Sequence, residues 1–238
     1  MNLVRPLQIN DNQAVLVTLE SGKKEWVSLF ELNDLETEDQ KLLLKKIASV
    51  FSFMPEETGS DVHQLNDIYK RPIKNSVTFF GGSFNPFHLG HLECVKLCPE
   101  ENIVIVPDHN PHKDLRELEN PFNEFLNLLE KFKQTNASIY PGFLTLNRSN
   151  PTADWLVKVQ VLEINFLMGD DSFMNLLRWK TPEILLNRLT KLYVVPRNFN
   201  ESDYREQVKK IKDLNPHLII EILSDHPYKN LSSTSLRK

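Results

Sequence analysis

The part of the chain after residue 75 alternates short apolar segments with segments of helical periodicity. We predict strands at 76–80, 102–106, 164–168, 192–195 and 217–223, an extended segment within 138–146, and helices at 89–97, 121–132, 152–161 and 202–214. Strands that alternate with helices pair in parallel and are covered by helices on both faces. This order predicts an α/β fold with a parallel sheet, in which ligands bind beyond the carboxyl ends of the strands.

Residues 1–70 follow a different pattern. Two apolar segments, 14–19 and 25–30, flank a turn and predict a β-hairpin. Apolar residues at helical spacing within 39–51 predict one helix, and a polar stretch follows. We therefore divide the chain into a small N-terminal α+β extension, residues 1–70, and a main domain, residues 71–238. No motif assigns a role to the extension.

The composition argues against several classes of protein. The formal net charge is −4, whereas a protein that binds nucleic acid normally presents a basic face. No apolar run approaches the roughly 18 residues of a membrane span, and the N-terminus lacks the apolar core of a signal peptide. The two cysteines, Cys94 and Cys98, lie without the further ligand cluster that a metal site needs. We expect a cytoplasmic protein with no disulfide, no protein-bound metal, no nucleic-acid partner and no membrane partner.

The most distinctive stretch is 79–91, FFGGSFNPFHLGH, in a chain with only seven glycines and seven histidines. Its two adjacent glycines fall in a predicted loop at 81–86, where glycine lets the backbone approach a ligand or adopt a positive φ. The helix predicted after this loop directs its N-terminal N–H groups and positive dipole at the loop. His88 and His91 face the same way on the first turn and can donate hydrogen bonds to phosphate. The stretch predicts a phosphate site; the alternative is a glycine turn with two incidental histidines.

The stretch GGSFNPFHLGH resembles the phosphate-binding signature of the nucleotidyltransferase superfamily, with its H-x-G-H element. It resembles most closely that of the bacterial nicotinate mononucleotide adenylyltransferases. Further segments resemble motifs of that family and follow in the family's order. They are 111–113 (P-H-K), 166–173 (F-x-x-G-x-D-x-[LF]), Trp179, 192–197 (L-V-V-x-R) and 231–237 (I-S-S-T-x-I-R). The resemblance covers residues 76–238 and implies a Rossmann-like sheet.

The resemblance also implies a reaction, in which ATP and nicotinate mononucleotide give nicotinate adenine dinucleotide and pyrophosphate for NAD biosynthesis. Because the attacking phosphate is already an anion, catalysis would consist of positioning and charge neutralisation. The implied partners are ATP and a pyridine mononucleotide, and Mg²⁺ is expected on the ATP phosphates. The implied residues are His88, His91 and Arg237 for catalysis; Gly82, Ser83, Phe84, Lys113, Ser233 and Thr234 for ATP and phosphate; and Thr152, Asp171 and Trp179 for the ribose or the mononucleotide.

Four of these residues also have a purely structural interpretation. Lys113 and Arg237 could be solvated surface charges. Asp171 could cap a helix that begins at Ser172. Trp179 could belong to the core.

The chain departs from the family where the family has S-Y-T-x-D-T-L. The matching residues are 150–156, NPTADWL, in which proline replaces tyrosine. Pro151 offers neither a backbone N–H nor a hydroxyl. The choice between the acid and the amide mononucleotide therefore stays open.

Other functions stay open as well. The acceptor could be nicotinamide mononucleotide or another phosphorylated compound, such as a pantetheine phosphate. A nucleotide-binding regulatory protein without catalysis is a second alternative, favoured by Pro151 and by the short tail after Arg237. A class I aminoacyl-tRNA synthetase also carries an H-x-G-H-like element, but this chain is acidic and lacks a lysine-rich second signature. The sequence does not decide whether the chain forms a homo-oligomer.

Overall fold

The computed structural model describes residues 14–18, 24–28, 37–48, 54, 75–108, 120–132, 134–135, 137–144, 146, 150–228 and 230–231. The strands in these ranges are β1 (Ala14–Thr18), β2 (Lys24–Ser28), β3 (Ser76–Gly82), β4 (Ile103–Pro107), β5 (Ser138–Ile139), β6 (Glu163–Gly169), β7 (Lys191–Val195) and β8 (Ile219–Ile222). The α-helices are α1 (Thr37–Ala48), α2 (Leu89–Leu97), α3 (Pro121–Phe132), α4 (Thr152–Leu156), α5 (Asp170–Asn175), α6 (Pro182–Arg188) and α7 (Glu201–Leu214).

Strands β3 to β8 form one sheet in the order β5-β4-β3-β6-β7-β8, and all neighbouring strands are parallel. The first strand of this sheet along the chain is β3, which lies in the middle of the sheet. The chain then continues through β4 to the edge strand β5. It then returns to β6, beside β3, and continues to the opposite edge at β8. In a doubly wound sheet of this order, ligands bind in the crevice beyond the two central strands, which here are β3 and β6. The predicted Rossmann-like α/β fold is confirmed.

Each face of the sheet has its own apolar cluster, because alternate residues of a strand point to opposite faces. Val77 and Phe79 of β3 belong to the first cluster, whereas Phe80 belongs to the second. Helices α4, α5, α6 and α7 contribute to the first cluster. Helices α1, α2 and α3 contribute most of their buried residues to the second. Both faces are therefore covered, as the alternation of strands and helices predicts.

Helix α1 lies within the predicted N-terminal extension but shares its core with the main domain. Leu43, Leu44 and Ile47 are buried in the second-face cluster together with residues of α3. At the start of α3, the Asn120 amide donates a hydrogen bond to the Gln40 side chain at 2.9 Å. Strands β1 and β2 pair antiparallel, as the predicted hairpin does. The division at residue 70 stays a prediction.

Three local predictions differ from the structure. The glycines at 81 and 82 are not in a loop: they end β3 and pair with Val106 and Pro107. The helix predicted at 152–161 ends at Leu156. Beyond its end, the Arg188 guanidinium donates to the carbonyls of Val159 (3.0 Å) and Val161 (2.7 Å), which satisfies these groups without a helix. Helix α6 is absent from the sequence prediction, and α5 begins at Asp170 rather than at Ser172.

None of the helices in the described parts of the chain has the length and apolar character needed to cross a membrane.

Candidate active site

A cavity of about 570 Å³ opens beyond the carboxyl ends of β3 and β6. This volume lies in the range of roughly 300–1,000 Å³ that small-molecule sites occupy. Its wall is formed by Gly81, Gly82, Ser83, Val106, Asp108, Asn150, Pro151, Thr152, Ala153, Trp155, Phe166, Asp171, Ser172, Asn175, Arg178, Trp179 and Lys180. The cavity thus occupies the crevice that the strand order designates for a ligand.

The turn between β3 and α2 is held in place by Phe84. The backbone φ of Phe84 is 46°, which is the left-handed conformation. We expected this conformation at a glycine of the stretch, but a phenylalanine adopts it. The Phe84 ring is buried and packs edge-on against Phe80 (5.2 Å between centroids) and His91 (5.1 Å). The adjacent glycines serve close packing instead: a Cβ on Gly81 would lie 3.2 Å from the Phe166 ring.

His88 and His91 stand together at the start of α2. Their rings stack with centroids 3.8 Å apart and planes inclined by 22°. The Nδ1 atom of His91 accepts a hydrogen bond from the backbone N–H of His88 at 3.2 Å. Because Nδ1 is the acceptor, the neutral His91 ring carries its proton on Nε2. His91 is therefore oriented as an Nε2–H donor.

His88 is buried, with 7% of its surface exposed, and its Nδ1 has no hydrogen-bond partner among the described residues. Burial lowers the pKa of His88 from 6.5 to about 4, and the neighbouring charges of Arg197 and His226 contribute in the same direction. His88 is therefore neutral at pH 7. It can meet a phosphate as a hydrogen-bonding group, whereas the positive charge must come from other residues, such as Arg197.

Gly90 leaves the space that the His88 ring occupies. A Cβ at this position would lie 2.9 Å from Nδ1 and 3.0 Å from Cε1 of His88. Real Cβ atoms do not approach that closely, so any side chain here would displace the ring. The glycine between the two histidines is thus explained by the packing of His88.

We expect Gly90→Ala to lower turnover at least about tenfold, because misplacing a catalytic group by about 1 Å is costly. The fold should survive, since alanine favours a helix over glycine by about 1 kcal/mol. Steady-state kinetics and thermal unfolding measure the two effects. The double variant Gly90→Ala/His88→Ala should be no slower than His88→Ala alone. Full additivity of the two losses would show that Gly90 acts independently of the ring.

Asp170, the first residue of α5, is completely buried and joins three segments. Its Oδ2 accepts hydrogen bonds from the backbone N–H groups of Arg197 and Asn198, both at 2.7 Å. The same oxygen accepts one from the Tyr204 hydroxyl at 3.1 Å. This carboxylate therefore fixes the turn after β7 and the start of α7 relative to β6.

Asp171 lies next to Asp170 but lines the cavity and is exposed. Its carboxylate is 3.5 Å from the Arg197 guanidinium. Partial burial raises the pKa of Asp171, and Asp170 adds to that effect, while Arg197 opposes it. The N-cap of α5 is Gly169, without a side-chain hydrogen bond, so the interpretation of Asp171 as a helix cap is wrong.

His226 is a second buried histidine close to His88 and Arg197. It is 5% exposed, and its Nδ1 accepts the backbone N–H of Tyr228 at 3.2 Å. Its Nε2 has no hydrogen-bond partner among the described residues. Burial lowers the pKa of His226, and Arg197 adds to that effect. The Arg197 guanidinium also donates to the Leu231 carbonyl, which ties this segment to the turn after β7.

The predicted site residues fall into three groups. Gly82, Ser83, Thr152, Asp171 and Trp179 line the cavity. Phe84, His88 and His91 form the turn and the first helical residues that follow the cavity-lining end of β3. Trp179 also packs edge-on against Phe166, at 6.3 Å between centroids, so it is both a core residue and a cavity wall. Lys113, Ser233, Thr234 and Arg237 lie outside the described residues. The roles of all these residues stay predictions.

Several residues near the cavity were not predicted from sequence. Arg197 is the last residue of the segment 192–197 that resembles the L-V-V-x-R motif, so the sequence did contain a motif that could have identified it. Arg178 adjoins the predicted site residue Trp179, Asn150 lies two positions before Thr152, and His226 lies in no motif. Only the folded structure brings these residues to the site.

The comparison with known proteins places this chain in a family. The model of the cytidylyltransferase-like family matches residues 79–238, which is more than half of the chain. A protein of Caldicellulosiruptor bescii named "Probable nicotinate-nucleotide adenylyltransferase" is 28% identical over 171 residues, covering 68% of this chain and 85% of the relative. Proteins of the same name are 29% identical over 174 residues in Lachnoclostridium phytofermentans (68% and 85%) and 24% identical over 171 residues in Thermotoga petrophila (69% and 85%). The chain belongs to the cytidylyltransferase-like family and is an enzyme of the nucleotidyltransferase superfamily.

Proposed function

We propose that the protein transfers the adenylyl group of ATP to nicotinate mononucleotide, forming nicotinate adenine dinucleotide and pyrophosphate in NAD biosynthesis. The observation that carries this proposal is the position of the cavity. It lies at the central crevice of the sheet, and the His88–His91 turn follows directly on the strand that lines it. The names of the relatives support the same reaction.

In this reaction an oxygen of the mononucleotide phosphate attacks the α-phosphorus of ATP. The bond from that phosphorus to the oxygen bridging the β-phosphate breaks, and pyrophosphate leaves. The nucleophile is already charged, so the protein needs no general base. His91 would donate its Nε2–H to a phosphate oxygen, while the end of β3 and Ser83 would hold the reacting phosphates close to the backbone.

Mg²⁺ would enter with ATP and neutralise charge on its phosphates. Within the described residues, no group of three or more His, Cys, Asp or Glu side chains could hold a metal ion. That donor set fits a cation that is held mainly by the nucleotide and by water.

Arg178 supports the acid rather than the amide as the acceptor. It ends the short 3-10 helix Leu176–Arg178 and lines the cavity beside Trp179. Lys180, also in the wall, is paired with Asp154 at 2.8 Å. Among the described residues, no carboxylate pairs with Arg178. An uncompensated guanidinium favours a ligand that carries a carboxylate.

We expect Arg178→Met to raise the KM for nicotinate mononucleotide about fivefold, the size typical of an exposed ion pair. The KM for nicotinamide mononucleotide and that for ATP should stay within twofold. Arg205→Met is a matched control, because Arg205 is an exposed arginine on α7 that pairs with Glu201 and does not line the cavity. Equal effects of Arg178→Met on the KM values for both mononucleotides would contradict a role of Arg178 in recognising the carboxylate of nicotinate mononucleotide.

Product analysis tests the function itself. The full chain is incubated with ATP, Mg²⁺ and either nicotinate or nicotinamide mononucleotide, and dinucleotide and pyrophosphate are measured. Dinucleotide from the acid supports the proposal, whereas dinucleotide from the amide alone would change the substrate. Absence of product from both, with ATP still bound, would favour another phosphorylated acceptor or a nucleotide-binding protein without catalysis.

A further inference from the structure

One face of helix α1 is buried in the main domain, although α1 lies before residue 79, where the match to the family begins. Gln40, Leu43, Leu44 and Ile47 recur at the spacing of a single helical face, and each is at most 3% exposed. The three apolar residues belong to the second-face cluster together with residues of α3. This face of the extension is therefore packed into the domain that carries the candidate active site.

A polar pair directs the contact between α1 and α3. The Oδ1 atom of Asn120 accepts the backbone N–H groups of Phe122 (2.8 Å) and Asn123 (3.3 Å), so this side chain caps the start of α3. The Nδ2 atom of Asn120 donates at the same time to the Oε1 atom of Gln40 at 2.9 Å. Because one planar carboxamide makes all these bonds, the first turn of α3 cannot move away from α1 without breaking one of them.

The other end of α3 contacts the aromatic residues around His91. Phe132, the last residue of α3, is 1% exposed and packs edge-on against Phe84 (6.1 Å between centroids) and Phe87 (5.2 Å). The same two rings lie beside the His91 ring, at 5.1 Å and 5.5 Å. Two phenylalanines thus connect α3 to the histidine that donates to phosphate in the proposed function, and a displacement of Phe132 would displace them.

We propose that α1 is a positioning element of the active site, which acts on His91 through α3. A helix transmits a displacement along its length, so fixing the start of α3 at Asn120 also fixes Phe132 at its end. The apolar face of α1 holds α3 against the sheet, and the bond from Asn120 to Gln40 fixes where α3 begins. This inference gives the N-terminal extension a role in the reaction, and it rests on the role of His91 in the proposed function.

Gln40→Met tests the link between α1 and α3. Methionine has a length and volume similar to those of glutamine, but its sulfur is only a weak acceptor for the Asn120 N–H. With saturating ATP, Mg²⁺ and mononucleotide, we expect turnover to fall about fivefold, the order of effect for a change within a series of packed elements. The KM values should stay within twofold, because the cavity wall is unchanged. The assay is run at a temperature at which thermal unfolding shows the variant to be fully folded.

Gln40→Glu and Lys45→Ala are the matched variants. Glutamate keeps an oxygen that accepts from Asn120, and its negative charge is favourable at the N-terminus of α3, so turnover should stay within twofold of the wild type. Lys45 is an exposed residue of α1, and its removal should also leave turnover within twofold. A merely structural helix would give Gln40→Met a lower melting temperature and an unchanged turnover. That outcome would overturn the proposal, as would an equal loss of turnover in Gln40→Glu.

A double variant shows whether the effect passes through His91. If α1 acts by placing this ring, Gln40→Met should slow His91→Ala no further. Full additivity of the two losses would overturn the proposal. Phe132→Leu decides the case in which Gln40→Met does not fold, because it keeps an apolar side chain but removes the ring between Phe84 and Phe87. It should show a loss of turnover that is likewise absent from the His91→Ala background.

An NMR measurement separates this proposal from the reaction. The rings of the seven histidines are labelled with ¹³C, and the His91 signals are identified by their absence from His91→Ala. Gln40→Met should shift the His91 signals, whereas Lys45→Ala should not. If the wild type makes no dinucleotide, the proposed reaction fails, and the shift still decides whether α1 positions this ring. Unchanged His91 signals in Gln40→Met would overturn the proposal whatever the reaction.

Discussion

We expect His91→Ala to lower turnover by roughly 10²-fold or more, the size of effect seen when a main charge-stabilising donor is removed. His91 accepts the His88 N–H at Nδ1 and is thereby oriented with its proton on Nε2. Alanine removes that donor at the turn beside the cavity. Thermal unfolding should change little, because His91 is only half-buried. Single-turnover kinetics with ATP and the mononucleotide measure the loss.

His91→Asn is the matched control for this prediction. An asparagine oxygen can accept the His88 N–H in place of Nδ1, so the first turn of α2 keeps its hydrogen bond. The shorter side chain does not reach the position of Nε2. We expect this variant to be as slow as the alanine variant but closer to the wild type in stability. Turnover near that of the wild type in either variant would remove His91 from the proposed mechanism.

We expect Asp170→Ala to lower the free energy of unfolding by roughly 3–5 kcal/mol, as when a buried charged hydrogen-bonding partner is removed. Alanine leaves the N–H groups of Arg197 and Asn198 and the Tyr204 hydroxyl without their acceptor. In a chain of this size the melting temperature should fall by about 10 °C. Thermal and urea unfolding measure the change.

Asp213→Ala provides the comparison, because Asp213 is an exposed aspartate on α7. Its substitution should change the free energy of unfolding by no more than about 0.5 kcal/mol. If Asp170→Ala were equally mild, the three hydrogen bonds to its carboxylate would not stabilise the fold as described.

The sheet was predictable because its signals are local. Strand β3 carries Val77 and Phe79 on one face and Phe80 on the other, and this alternation is visible in the sequence. The glycines and histidines at 81–91 are a local signal as well, because their spacing alone suggests a phosphate site. Helices α2 and α3 begin and end where their periodicity predicts.

The roles of the two neighbouring aspartates could not be predicted in this way. Asp170 and Asp171 are chemically identical, and their difference depends on partners about 27 to 34 positions later in the chain. The left-handed turn at Phe84 has the same origin, because its cost is offset by packing against Phe80 and His91. Features that depend on long-range contacts therefore become visible only in the folded chain.

The hydrogen bond between Gln40 and Asn120 joins residues that are 80 positions apart in the chain, so its two partners are synthesised at different times. A ribosome adds about 5–20 residues per second, so roughly 4–16 seconds separate the appearance of α1 from that of its partner α3. During this interval Leu43, Leu44 and Ile47 have no α3 surface to pack against. Helix α1 therefore cannot dock on α3 until α3 has been made, and its apolar side stays exposed in the nascent chain during that interval.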